Sequence, residues 1–107
     1  MITIDSHQHF WEINRFNYSW MDQKSPLRKD FVPNDLEKLI KENQIDKTII
    51  VQAVPSTEET YWLLEMAENY DFIAGVVGWV DLTDPKIEKT LNILQENQFF
   101  KGVRHLW

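Results

Sequence analysis

Within ITIDSHQHFW, residues 2–11, His7 and His9 stand one residue apart at the end of a short β-branched run. Side chains alternate along an extended chain, so Asp5, His7 and His9 share one face. Two imidazoles on one face can ligate a single divalent metal such as zinc, through neutral ring nitrogens at about 2.0–2.1 Å. An ion held in that way lowers the pKa of bound water from about 15.7 to about 7 and supplies hydroxide at neutral pH. His-x-His is a short pattern that chance also produces. Its weight here comes from position, because it closes a first strand and precedes the long segment Phe10–Val32. Loops of that length inside compact domains are usually functional or disordered.

The elements that must hold this pair alternate strictly. Strands are expected at Ile2 to His7, at 47–54 (KTIIVQAV), at 72–80 (FIAGVVGWV) and at 101–107 (KGVRHLW). The third is apolar on both faces, as in parallel strands covered on both sides. A first helix is expected from Asp35 to about Asn43, with Asn34 as cap, Glu37 completing a capping box, and Leu36, Leu39 and Ile40 as its apolar face. Ser56 and Glu59 form a second capping box, after which Leu63, Met66, Ala67 and Tyr70 fall at helical spacing. Asp84 and Pro85 start a third helix whose Ile87, Leu91 and Leu94 face inward. The order βαβαβαβ predicts an α/β fold with parallel strands, either a doubly wound sheet or part of a (β/α)₈ barrel. No G-x-G-x-x-G follows the first strand and no P-loop is present, which weighs against nucleotide-binding forms.

Composition narrows the function further. Seventeen acidic and eleven basic residues leave a net charge of −6 with no basic block, so nucleic-acid and anionic-membrane surfaces are not expected as partners. There is no cysteine, which excludes disulfides and a thiol nucleophile. Five Trp, six Phe and three Tyr argue for a packed core rather than disorder. The N-terminus shows no signal-peptide pattern and no apolar run is long enough to span a bilayer, so the expectation is a soluble cytoplasmic domain over residues 1–107.

Four stretches, IDSHQHFW, LRKDFVPNDL, VQAVPSTEET and AGVVGWVDLTDP leading to KGVRHL, together resemble the amidohydrolase-type (β/α)₈ barrel hydrolases. The likeness is to the sugar-lactonase branch, which includes L-fuconolactonases and L-rhamnonolactonases. It implies hydrolysis of a cyclic ester: water adds to the lactone carbonyl and the ring oxygen leaves with a proton. His7 and His9 match the family's His-x-His pair, which either binds a divalent metal such as zinc or acts on the substrate carbonyl directly. Trp11 is then a candidate wall of a sugar pocket. Gln52 and Arg104, at the ends of the second and fourth strands, are candidates for substrate hydrogen bonds, and Arg104 also for charge stabilisation. His105 reads as structural, Asp5 as a residue that orients a histidine or caps a turn, and Asp81 as a loop cap.

A (β/α)₈ barrel has eight strands and typically about 250 residues. The expectation is therefore the N-terminal half of such a barrel, inactive by itself, with strands one and four as open edges and the inward faces of Ile50 and Val77 uncovered. The missing half-barrel or a second copy would close them, as a homo-oligomer. Two alternatives stand beside the lactonase: an inactive truncated half-barrel that dimerises or pairs with a partner, and a related metal-dependent decarboxylase.

Overall fold

The computed structural model describes residues 2–105. Leu106 and Trp107, which the sequence assigns to the fourth strand, lie outside the described residues. The elements run β1 (Ile4–Gln8), α1 (Pro33–Glu42), β2 (Lys47–Val51), α2 (Thr57–Asn69), β3 (Ile73–Gly78), α3 (Ile87–Gln95) and β4 (Phe100–Val103). All pairings are parallel and the sheet order is β1-β2-β3-β4. That order separates the two expected architectures. A doubly wound sheet reverses direction at a switch point, whereas here each strand is added beside the last, as in a barrel.

The helices start where local chemistry allows, which corrects two expected boundaries. α1 opens at Pro33, whose fixed φ suits a first turn, and the Asp35 carboxylate accepts the Val32 N–H at 2.9 Å. Asn34 thus sits inside the first turn and is not the cap. Ile40 is buried and Leu36 packs on the core, but Leu39, expected on that face, is 53% exposed. α3 begins at Ile87, because Asp84 spends its carboxylate on the Lys86 N–H at 2.9 Å and holds residues 84–86 in a turn. α2 starts as expected, with Ser56 Oγ accepting the Glu59 N–H at 3.2 Å.

The main core lies between sheet and helices. Ile50, Leu63, Ile73, Val76 and Leu94 are fully or almost fully buried there with Phe10, Leu64, Met66, Ala67 and Val80. Ile50 therefore faces the helices, contrary to the expected inward face. It is Ile49 and Val77, the alternate positions, that are half-buried. A second cluster of Trp11, Tyr18, Met21, Ala53 and Val54 packs the segment between β1 and α1 onto the exit of β2. Trp11 and Phe31 exchange backbone hydrogen bonds at 2.8 Å and close that segment at its base. It is long, but anchored.

Close packing of α2 on β3 depends on one side chain. The buried Thr60 hydroxyl accepts the Trp79 N–H at 2.8 Å and donates to the Trp79 carbonyl at 2.7 Å. A Cβ built on Gly78 would meet Thr60 Cγ2 at 2.5 Å, so this approach needs glycine. Thr60→Val keeps the shape and removes both hydrogen bonds. We expect it to cost about 1–3 kcal/mol, the penalty for leaving buried polar groups unpaired, measured by urea unfolding.

Candidate active site

Side chains with chemical potential collect at the C-terminal end of the sheet. Between Asp5 and Gln8 the pairing of β1 with β2 slips by one residue. Within that slip, the Asp5 carboxylate accepts the His7 N–H at 3.2 Å. Bulges of this type re-aim side chains and are common beside active sites. The result brings His7 Nε2 within 3.0 Å of His9 Nε2, with ring centroids 4.8 Å apart.

The His9 Nδ1 lies 2.9 Å from the Val51 carbonyl, an acceptor, so Nδ1 carries the hydrogen and Nε2 presents a lone pair. Burial lowers the His9 pKa below its usual value, and the charges of His7 and Arg104 lower it further. His9 is therefore neutral at pH 7. With His9 Nε2 bare, a 3.0 Å approach requires either a hydrogen on His7 Nε2 or a cation between the two nitrogens. The pair fits a metal as two nitrogen donors, whereas catalytic zinc usually has three protein ligands. Among the described residues, no group of three or more His, Asp or Glu could hold one.

Gln52 and Arg104 are each the first residue beyond a strand ladder that their own N–H extends, to Val77 O at 2.8 Å and to Gly78 O at 2.9 Å respectively. Arg104 Nη2 donates to the Gln52 carbonyl at 2.8 Å and to Gln52 Oε1 at 3.2 Å. The two residues singled out in the sequence thus meet each other, and Gln52 is buried. Arg104 Nε is also buried, and no group among the described residues accepts its hydrogen. An orphaned donor costs about 1–3 kcal/mol in a folded protein. A carbonyl or carboxylate of a ligand would remove that cost.

The remaining candidates hold the scaffold. Trp11 is buried among Tyr18, Trp20 and Phe31, and its N–H donates to the carbonyls of Lys29 at 2.8 Å and Leu27 at 3.2 Å. Ring surface is all it can offer a ligand. His105 stacks on Trp79, 6.3 Å between centroids. The Asp81 carboxylate accepts from the side chain and backbone of Thr83, which holds its pKa below the usual range.

Glu59 was not singled out by the sequence pattern except as half of a capping box. Its side chain instead turns into the protein, fully buried, and accepts the N–H groups of Ala53 at 3.1 and 3.3 Å and Val54 at 3.5 Å. Burial pushes its pKa up to about 7, against the opposing pull of those amides and of Arg104. A signal was present: Glu59 precedes Leu63 and Met66 by four and seven residues, a charge on the apolar stripe of α2.

A sheet wound in one direction, with a His-x-His pair at the exit of β1 and an arginine beyond β4, defines part of an amidohydrolase-type barrel. Residues 4–106 match the amidohydrolase family, and the chain belongs to it. It is 37% identical over 102 residues to an L-fucono-1,5-lactonase of Burkholderia ambifaria, and 35% identical over 105 residues to one of Burkholderia multivorans. It spans 94% and 97% of its own length in these matches but only 35% of each relative. A crystal structure of a Burkholderia multivorans amidohydrolase with bound zinc superposes with a TM-score of 0.89 at 35% identity, over 98% of this chain and 37% of that one. The chain is thus a hydrolase fold of four parallel strands and three helices that corresponds to part of a TIM barrel.

Proposed function

We propose that the intact protein opens a sugar lactone of the 1,5-lactone type at the C-terminal end of this sheet. The observation that carries the reading is the convergence of the His7–His9 nitrogen pair with an arginine whose buried Nε–H has no acceptor among the described residues. The kinship with two L-fucono-1,5-lactonases supplies the substrate class.

In this reaction the oxygen of water bonds to the lactone carbonyl carbon, the bond from that carbon to the ring oxygen breaks, and the ring oxygen takes a proton. The product carboxylic acid then releases one. Arg104, fixed by Gln52, donates to the carbonyl oxygen as negative charge develops there, a role worth about 10²–10³ in rate for one donor. His9, neutral at pH 7, accepts a proton of the attacking water at Nε2 once that nitrogen exchanges its contact with His7 Nε2 for one with water. Should a divalent metal bind, His7 and His9 would be two of its ligands, and it would supply Lewis acidity and hydroxide at neutral pH. Trp11 supports this end of the sheet by anchoring the β1–α1 segment. The exposed edges at β1 and β4, where Ile4 is 50% and Val103 37% exposed, are where the rest of the barrel or a second copy would pair.

The test is a screen of the intact protein against sugar 1,5-lactones and, in parallel, aromatic carboxylates. Lactone opening supports the reading; carbon dioxide release without lactone opening replaces it by a decarboxylase, and a defined dimer without turnover replaces it by a binding role. Zinc titration adds a second prediction. Thermal stability of the wild type should rise with zinc, by about 2.7 kcal/mol at 100 times Kd, and a His7→Ala/His9→Ala variant should show no rise.

A further inference from the structure

We propose that Glu59 is a positioning residue for Arg104, acting through the peptide group that joins Gln52 to Ala53. That single group is held at both ends. Its N–H donates to the Glu59 carboxylate at 3.1 Å, and its carbonyl accepts from Arg104 Nη2 at 2.8 Å. An anion and a cation are thereby joined in line across one peptide dipole, each strengthening the hydrogen bond of the other. Among the described residues the direct ion pairs are Arg15–Glu12, Lys38–Glu42 and Lys41–Glu37, all on the surface, so the peptide is the hydrogen-bonded link between Glu59 and Arg104, beside the through-space attraction of their charges.

The same turn carries the rest of the site. Val51 O holds His9, Gln52 N–H holds the end of β3, and Gln52 Oε1 takes a second bond from Arg104. Glu59 grips this turn from the helix side, through Ala53 and Val54. The charged and titratable groups facing Glu59 are Arg104 from beyond β4 and the Tyr18 hydroxyl from the β1–α1 segment. Arg104 in turn faces His9. Ionising Glu59 therefore tightens the bond that aims Arg104, and protonating it loosens that bond. The catalytic meaning of the coupling rests on the lactonase reading, but its physical test needs no substrate.

The experiment is nuclear magnetic resonance of the labelled intact protein between pH 5 and 8, following Glu59 Cδ, the amides of Ala53 and Val54, and the Arg104 guanidinium protons. The expected result is one midpoint shared by Glu59, Ala53 and the Arg104 Nη protons. In Glu59→Gln, which keeps an acceptor oxygen and loses the charge, the shared titration disappears and exchange of the Arg104 Nη protons accelerates at least tenfold. Any movement of Arg104 caused by His9 persists in that variant, which separates the two sources. Titration of Ala53 and Val54 with Arg104 unmoved would overturn the proposal and leave Glu59 as a loop clamp. If the variant does not fold, the wild-type titration alone decides, by whether the Arg104 protons share the Glu59 midpoint. Coupling without lactone turnover would sink the functional reading and leave this proposal standing.

Discussion

Replacing His9 by alanine should lower kcat/KM for the proposed lactone opening by about 10²–10⁴-fold, the usual range for a lost proton-transfer group. The His9 Nδ1–H is committed to Val51 O, so Nε2, which also faces His7 Nε2 at 3.0 Å, is the ring nitrogen left for chemistry. Besides His7, the side-chain acceptors near it among the described residues are engaged, Gln52 Oε1 by Arg104 and Asp5 by the His7 amide. His9→Ala also leaves the Val51 carbonyl without this partner, a stability change of about 0.5–1.5 kcal/mol. His7 provides the cleaner comparison. It is exposed and, among the described residues, its ring nitrogen bonds His9 alone, so His7→Ala should match the loss in rate with a stability change within about 0.5 kcal/mol. Steady-state rates and urea unfolding on the same two variants check both halves. A His7→Ala enzyme that keeps full kcat/KM would remove the pair from the chemistry.

Glu59→Gln should change how stability depends on pH. The Glu59 carboxyl is raised from 4.5 to about 7 by burial. Between those values the folded chain keeps a proton that the unfolded chain releases, so raising the pH favours unfolding. The stability that protonated Glu59 confers is fully present below pH 4.5 and is lost as the pH rises through about 7. At about 1.36 kcal/mol for each pH unit of displacement, the contribution is about 3 kcal/mol. Glutamine has no proton to lose. Relative to wild type, Glu59→Gln should therefore gain about 3 kcal/mol between pH 4.5 and pH 8. Denaturant unfolding at several pH values measures this gap. A gap that stays constant would mean the buried carboxyl is solvated well enough to titrate normally.

Patterns that repeat along the chain made the fold legible, because periodicity reports which face is buried. The alternation of apolar runs with 3.6-residue spacing located every strand and helix, and the all-apolar third strand announced its parallel neighbours. Boundaries were less legible. Asn34 reads as a cap, but Pro33 fixes its own φ and begins the helix two residues before the expected Asp35. The face of Ile50 is not legible because the polar residue that should set the phase of KTIIV misleads: Thr48, on the same face as Ile50, is itself fully buried, and only packing against Leu63 and Val76 decides it.

The site divides in the same way. His7 and His9 are close in sequence, so alternation puts them on one face, and the slip between Asp5 and Gln8 draws their rings to 4.8 Å. The bond between Gln52 and Arg104 spans 52 residues and depends on two parallel pairings that no local pattern encodes. Glu59 was hidden by a pattern that was correct but incomplete. Ser56 does cap α2 by accepting the Glu59 N–H, while the Glu59 side chain, which in a capping box would return to the cap, is drawn inward by the free amides of Ala53 and Val54.

The most direct test is a crystal structure of the intact protein with L-fuconate, the acid that opening L-fucono-1,5-lactone would yield. The account predicts the product carboxylate within hydrogen-bond distance of Arg104 Nε and facing the Nε2 atoms of His7 and His9. A product bound elsewhere, with Arg104 Nε still unpaired, would contradict it.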